Sequence, residues 1–136
     1  MKKKMMNQTI VNKLFEEALK AREKAYAPYS KYKVGAAILT SDDEIITGCN
    51  VENASYGLTI CAERNAIFSA VAKGKTNFKS ILIVAEGEGL AKPCGACRQV
   101  MNEFGDFDVY LANTKGDIEK TTVSELLPKS FGPRDL

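Results

Sequence analysis

The amino-acid sequence predicts a single α/β domain in which helices pack against a partly parallel sheet. The chain has 136 residues, the length of one ordinary domain. Helical patterns alternate along it with short apolar runs that have the length of strands. Strands separated by helices need crossover connections, and such connections join parallel strands. We therefore expect one domain over 1–136, of which 1–6 form a flexible basic tail.

A helix and a β-hairpin are expected at the start of the chain. In 7–25 the apolar residues stand three or four positions apart, which is the period of an amphipathic helix, and Pro28 ends that pattern. The runs 34–39 and 44–49 are short and apolar, and they flank a turn-rich linker at 40–43. Two such runs around a turn predict a hairpin.

The rest of the chain alternates between helices and strands. Residues 61–72 have helical composition and period, and Pro93 opens a second short helix. The continuous apolar runs 80–85 and 107–112 are typical of buried strands. Thr122–Glu125 has the spacing of a capping box. The chain is therefore expected to close with a hairpin strand or a short helix.

Charge and hydropathy limit the partners. The chain carries 19 Lys and Arg residues and 17 Asp and Glu residues, and three of the positive charges are Lys2, Lys3 and Lys4. The remaining body, with 16 basic against 17 acidic residues, lacks the concentrated basic surface that nucleic-acid binding requires. No apolar run reaches the roughly 18 residues of a membrane span. We expect neither nucleic acid nor a membrane as a partner.

Histidine is absent from the chain, whereas four cysteines are present: Cys49, Cys61, Cys94 and Cys97. Without histidine the chain cannot by itself supply imidazole catalysis or a His-ligated zinc. Polar residues interrupt the apolar start, which is unlike a secretory signal peptide, so we expect a cytoplasmic protein. In a reducing compartment, cysteines indicate metal ligands or redox groups rather than disulfides.

Three of these cysteines stand at predicted helix starts. Cys94 and Cys97 are three residues apart and project from one side of a first turn, which suits two ligands of one metal. Cys61 begins another helix, whose free N–H groups stabilise a thiolate. A zinc ion with three protein ligands keeps a fourth position for water, as in catalytic sites. Glu63, in the same first turn as Cys61, is the candidate proton carrier.

Two arginines follow the ligand segments closely. Arg64 and Arg98 are expected to donate hydrogen bonds to the sulfurs and so to offset the negative charge of three thiolates. The spacing leaves other interpretations open, since a C-x-x-C pair also occurs as a redox pair, as half of a structural zinc site or by coincidence. Cys49 would complete a four-cysteine structural site. Its place on a predicted strand favours a small buried side chain instead.

The motif Cys61-Ala62-Glu63 with Pro93-Cys94-Gly95-Ala96-Cys97 resembles the zinc nucleoside deaminase signature, with Cys in place of the usual first His. The stretches 27–37, 48–56 and 125–131 are also similar to the small three-cysteine cytidine deaminases. The resemblance covers nearly the whole chain. It implies a three-layer α-β-α sandwich with a mixed five-stranded sheet and helices on both faces. It also implies one Zn²⁺ per chain with a bound water or hydroxide.

The same resemblance implies a nucleoside site shared between the subunits of a homotetramer. Asn50 and Glu52 match residues that bind the ribose 3′-hydroxyl, and in a strand both would point to one face. Tyr32 matches an aromatic that lines the nucleoside pocket, and Phe131 one that stacks on the base from a neighbouring subunit. The other expected substrate-binding residues are Asn53, Tyr56 and Ala62.

The resemblance implies hydrolytic deamination of cytidine and 2′-deoxycytidine to the uridines, with release of ammonia, in pyrimidine salvage. Glu63 would take a proton from the zinc-bound water and protonate N3, and would then pass a further proton to the departing amine. The nearest rival function is that of a zinc deaminase for a cytosine-nucleoside antibiotic such as blasticidin S. Deamination of polynucleotide cytosine, a noncatalytic zinc module and a thiol oxidoreductase also stay open at this point.

Overall fold

The computed structural model describes residues 2–136, with side chains from Asn7 onward. The helices and strands are α1 (Lys2–Glu23), β1 (Val34–Thr40), β2 (Ile45–Cys49), α2 (Ala62–Ala72), β3 (Phe78–Ala85), α3 (Gly95–Glu103), β4 (Asp108–Asn113), β5 (Ile118–Thr122) and α4 (Val123–Leu126). The basic tail expected over 1–6 falls in part outside the described residues, which do not include Met1 or the side chains of 2–6. None of the helices in the described part is long and apolar enough to cross a membrane.

The five strands form one mixed sheet in the order β2-β1-β3-β4-β5. Strands β3 and β4 are parallel and are joined by α3, whereas the other neighbouring pairs are antiparallel. Because β2 and β3 are each antiparallel to β1, they run in the same direction, and α2 connects them across the sheet. The predicted partly parallel sheet with helical crossovers is confirmed.

Helices cover both faces of the sheet because strand side chains alternate between the faces. In β1, Ala37 and Leu39 pack with α1, while Ala36 and Ile38 pack on the side of α2 and α3. The sequence pattern of α1 explains its place, since the predicted apolar positions Leu14 and Ala18 are fully buried against the sheet. The result is the three-layer α-β-α arrangement that the resemblance implied.

The chain closes with both a strand and a helix, although the sequence predicted only one of the two. Strand β5 pairs with β4, and α4 follows it directly. The hydroxyl of Thr122 accepts the N–H of Glu125 at 3.2 Å, which is one half of the expected capping box. The carboxylate of Glu125 instead accepts from the hydroxyl of Thr121 at 3.1 Å.

Two glycines allow helices to approach the sheet closely, one on each face. A Cβ atom on Gly48 in β2 would clash with the backbone of Ala66 and lie 2.7 Å from the carbonyl oxygen of Ala62. A Cβ atom on Gly35 in β1 would clash with the carbonyl oxygen of Ala18 in α1. The missing side chain at Gly48 therefore sets how closely the first turn of α2 lies against β2.

Candidate active site

Three cysteine sulfurs converge where α2 and α3 begin. Cys61 is the N-cap of α2, Cys94 is the N-cap of α3, and Cys97 lies in the first turn of α3. The Sγ atoms of Cys61 and Cys94 are 3.9 Å apart, and those of Cys94 and Cys97 are 3.4 Å apart. All three sulfurs lie within 4.8 Å of one another. The two predicted helix starts thus face each other.

The spacing of these sulfurs fits a zinc ion. A tetrahedral zinc with Zn–S bonds of about 2.3 Å places its sulfur ligands about 3.8 Å apart, and thiolates are ligands that zinc prefers. Cys49 does not belong to the cluster; it is half-buried at the end of β2, and burial raises the pKa of its thiol. Among the described residues, the cluster therefore offers three ligands for one zinc ion.

The electrostatics of the cluster favour a thiolate at Cys61. A hydrogen bond with Cys97 lowers the pKa of Cys61 to about 5 and raises that of Cys97. The guanidinium of Arg64 acts in the same direction on Cys61, since its Nη2 donates to Sγ at 3.5 Å. Arg64 thus makes the contact with sulfur that its position in the sequence predicted.

The structure corrects the expectation for Arg98. Its Nε donates to the carbonyl oxygen of Pro93 at 2.8 Å, and its Nη1 donates to that of Leu126 at 3.0 Å. A guanidinium presents its donors in a fixed plane, and here two of them are directed at backbone oxygens rather than at sulfur. Arg98 therefore holds the backbone just before Cys94 instead of contacting the sulfurs.

Glu63 lies in the first turn of α2 and is turned into the fold, with only 4% of its surface exposed. Burial raises the pKa of its carboxyl to about 7, and the negative charge of Cys61 acts in the same direction. A carboxyl with a pKa near neutrality can both accept and release a proton at pH 7. This is the property that a proton carrier needs in a chain without histidine.

Glu63, Cys61 and Cys94 line a cavity of about 180 Å³. Three of the expected substrate-binding residues share this cavity: Tyr32, Asn50 and Ala62. Five residues that the sequence did not single out complete the lining: Val34, Thr59, Ile83, Ala91 and Lys92. Thr59 and Lys92 each stand within two residues of a ligand cysteine, and this closeness was the signal available in the sequence.

Comparison with known proteins agrees with this geometry. The family model described as the cytidine and deoxycytidylate deaminase zinc-binding region matches residues 8–113. The chain belongs to this deaminase family. A cytidine deaminase of Sporosarcina psychrophila is 56% identical over 128 residues, which cover 93% of this chain and 94% of that protein. One of Halalkalibacterium halodurans is 53% identical over 125 residues, covering 90% and 95%.

Solved structures in the deaminase family share the fold. The 1.6 Å crystal structure of cytidine deaminase from Burkholderia pseudomallei has a TM-score of 0.86 and 54% sequence identity, and the match covers 88% of this chain and 98% of that one. The crystal structure of cytidine deaminase from Mycobacterium tuberculosis has a TM-score of 0.76 at 37% identity, with coverages of 89% and 96%. The three-layer architecture is therefore that of the deaminase family.

The remaining residues expected at the deaminase substrate site lie outside this cavity. Glu52 and Tyr56 line an adjoining cavity of about 380 Å³, whose lining also includes Thr59. The side chain of Asn53 accepts the N–H of Ser55 at 2.8 Å. Phe131 is 61% exposed. Its carbonyl oxygen is held by two side chains of α3, those of Gln99 and Asn102.

Asn50 and Glu52 bind the loop that precedes β1. They flank Val51, which makes isolated bridges rather than belonging to a strand, yet both side chains turn toward the same loop as the alternation predicted. The amide of Asn50 accepts the N–H of Val34 and donates to the carbonyl of Tyr32, each at 2.8 Å. Glu52 accepts the backbone N–H groups of Tyr29 and Ser30 at 3.0 and 3.1 Å, so both residues have hydrogen-bond partners in this loop.

Proposed function

We propose that this chain catalyses the zinc-dependent hydrolytic deamination of cytidine and 2′-deoxycytidine. The products are uridine or 2′-deoxyuridine and ammonia, and the reaction would serve pyrimidine salvage in the cytoplasm. The observation that carries the proposal is a buried glutamate with a pKa near 7 beside three converging cysteine sulfurs, in a member of the deaminase family. The whole chain, 1–136, is taken as one catalytic domain.

The cysteines are proposed to hold the metal. Cys61, Cys94 and Cys97 would bind one zinc ion as thiolates, which in such a site supplies a Lewis acid and an acidified water. Three thiolates leave the site with excess negative charge, and the hydrogen bond from Arg64 to Cys61 reduces it. Within the described part of the chain, the buried Nε of Arg64 has no hydrogen-bond partner, whereas its Nη2 donates to the sulfur of Cys61.

Glu63 is proposed to move the protons. Its carboxylate takes one proton of the water that attacks C4 and delivers it to N3 of the ring, and it then takes the second proton from the new C4 hydroxyl and passes it to the departing amino group. The overall change consumes one water and releases one ammonia, so Glu63 returns to its starting state. Its burial excludes bulk water from the proton path and keeps its pKa where both steps are accessible.

The nucleoside is proposed to span the two adjoining cavities. The base would lie in the cavity of Glu63 with Tyr32 and Ala62 on its walls, and the sugar would point toward Asn50 and Glu52. Thr59, which lines both cavities, supports this arrangement. Asn53 and Tyr56 are proposed to border the sugar side.

Phe131 is proposed to act on a neighbouring subunit of a homotetramer. Its large exposed ring, carried on a segment that α3 holds in place, supports a role outside its own chain. A tetramer would place four such rings against four sites. Static light scattering of the purified protein checks this, and a monomer at assay concentrations would contradict it.

An ultraviolet assay of the purified protein tests the reaction. We expect loss of cytosine-nucleoside absorbance with cytidine and 2′-deoxycytidine, together with one zinc ion per chain. Cytosine, CMP and blasticidin S serve as comparison substrates, because cytosine lacks the sugar, CMP carries a phosphate and blasticidin S is the antibiotic substrate of the rival function. Turnover of only these comparison substrates would overturn the proposal.

A further inference from the structure

The hydroxyl of Ser30 connects two residues of the proposed substrate site. It donates a hydrogen bond to Oε2 of Glu52 and accepts the backbone N–H of Tyr32 at 3.0 Å. The other oxygen of Glu52 accepts the backbone N–H groups of Tyr29 at 3.0 Å and Ser30 at 3.1 Å. A carboxylate only accepts hydrogen bonds. The Ser30 proton is therefore committed to Glu52, which leaves the Ser30 oxygen free to accept from Tyr32.

The loop that carries Tyr32 needs such contacts. Lys31, directly before Tyr32, has a φ of 63°, in the left-handed region that disfavours any residue with a Cβ atom. Side chains bind both polar groups of the Tyr32 backbone. Ser30 accepts its N–H, and Asn50 donates to its carbonyl oxygen at 2.8 Å. The backbone N–H of Lys31 itself donates to the carbonyl oxygen of Ala27 at 3.0 Å, so this bond and the side-chain bonds to Tyr32 together hold the loop.

The position of Tyr32 matters because its side chain lines the cavity of Glu63. Burial, and after it the negative charge of Glu63 in the same cavity lining, raises the pKa of the Tyr32 hydroxyl. Tyr32 belongs to none of the helices or strands. The hydrogen bonds to its backbone therefore determine where the ring stands in the cavity wall.

We propose that Ser30 is a positioning residue for substrate binding and that it acts through Tyr32. Glu52 fixes the orientation of the Ser30 hydroxyl, and the hydroxyl fixes the backbone nitrogen of Tyr32. Glu52 would then have a second role besides the sugar contact proposed for it. This inference rests on the proposed deaminase function, since Tyr32 would contact the nucleoside.

Steady-state kinetics of Ser30→Ala tests the inference. We expect KM for 2′-deoxycytidine to rise about fivefold to tenfold, the effect of losing one hydrogen bond, with kcat within about twofold of the unchanged protein. Ser30→Thr keeps the hydroxyl, so its KM should be close to that of the unchanged protein. Ser69→Ala is the matched control, because Ser69 is an exposed serine of α2 that lines neither cavity, and it should leave both constants unchanged.

A double-mutant cycle separates action through Tyr32 from other effects. In a Tyr32→Ala background, Ser30→Ala should change KM by less than about twofold, because coupled residues are not additive. Full additivity would overturn the inference. So would an effect of Ser30→Ala that disappears with 2′,3′-dideoxycytidine, which lacks the 3′-hydroxyl, because Ser30 would then act through the sugar contact of Glu52.

Folding of the Ser30 variants is measured separately from their kinetics. Thermal melting of each variant reports whether it folds, and Ser30→Gly offers a second removal of the hydroxyl if Ser30→Ala does not. An unchanged KM in both variants overturns the role of Ser30 while leaving the proposed function intact. Absence of cytidine turnover in the unchanged protein would instead overturn the proposed function.

Discussion

The two faces of the sheet share the same strands but carry different groups. The face under α1 is closed by a core of apolar side chains: Leu14, Ala18, Ala37, Leu39, Leu82, Val84 and Ala112. The face under α2 and α3 has an apolar core of the same kind, but this core includes the thiol of Cys97, and α2 carries the buried carboxyl of Glu63. Both reactive groups stand in the first turns of helices, where free N–H groups favour negative charge. Substitutions on the α1 face should therefore change the stability of the fold, whereas substitutions at these groups on the other face should change activity.

Removing a ligand should have the largest effect on the α2 and α3 face. Cys97→Ala is expected to lose zinc and all measurable deamination, because two thiolates cannot replace three in this site. Metal analysis and the ultraviolet assay check both losses. Cys49→Ala is the matched control, since Cys49 lies outside the sulfur cluster, and it should keep both zinc and activity. Equal zinc loss in the two variants would contradict the assignment of the ligands.

Glu63→Gln should separate proton transfer from metal binding. We expect kcat to fall by about 10²- to 10⁴-fold, the usual contribution of a general acid–base, while zinc content stays at one ion per chain. The amide keeps the size of the side chain but cannot carry the proton. Single-turnover kinetics and metal analysis measure the two quantities. A variant with near-normal kcat would remove Glu63 from the mechanism.

Leu14→Ala tests the α1 face. Leu14 is fully buried, so its truncation should lower the free energy of unfolding by about 2–5 kcal/mol. Because the described residues of α1 do not line the candidate active site, kcat per folded molecule should stay the same. Urea denaturation and kinetics check the two statements. Leu136→Ala, at an exposed leucine, should change neither, and a loss of kcat in Leu14→Ala would show that the faces are coupled.

The two glycines offer the most direct comparison of the faces, with the smallest expected effects. An added Cβ atom at Gly48 or Gly35 meets helix backbone, so each substitution to Ala should destabilise the fold by about 1–3 kcal/mol. Only Gly48→Ala displaces the first turn of α2, and it should also lower kcat about tenfold. Melting curves and kinetics of both variants decide this. Equal losses of kcat would refute the separation of the faces.

Local patterns in the sequence predicted most of the architecture. The period of α1, the hairpin of β1 and β2, and the buried runs of β3 and β4 each follow from neighbouring residues. The cysteine cluster was also accessible, because Cys94 and Cys97 are close in sequence and Cys61 begins a helix. Periodicity and ligand spacing are properties of short segments, which a single sequence displays.

The contacts that the sequence did not predict join distant segments. Ser30 and Glu52 are 22 residues apart, and Arg98 and Leu126 are 28 apart. No periodicity or short motif in the sequence predicts a hydrogen bond between residues so far apart. The left-handed conformation of Lys31 is not marked by residue type either, because hydrogen bonds within its loop and from Asn50 hold that loop.

The facing helix starts also bear on how the chain unfolds. Cys61 and Cys94 are 33 residues apart in sequence, and the segment between them contains all of α2 and β3. An ion bound to both sulfurs would close this segment into a loop and reduce the conformational entropy that unfolding can gain. A disulfide has the same effect in secreted proteins. In this chain the crosslink would be reversible and would depend on the supply of metal.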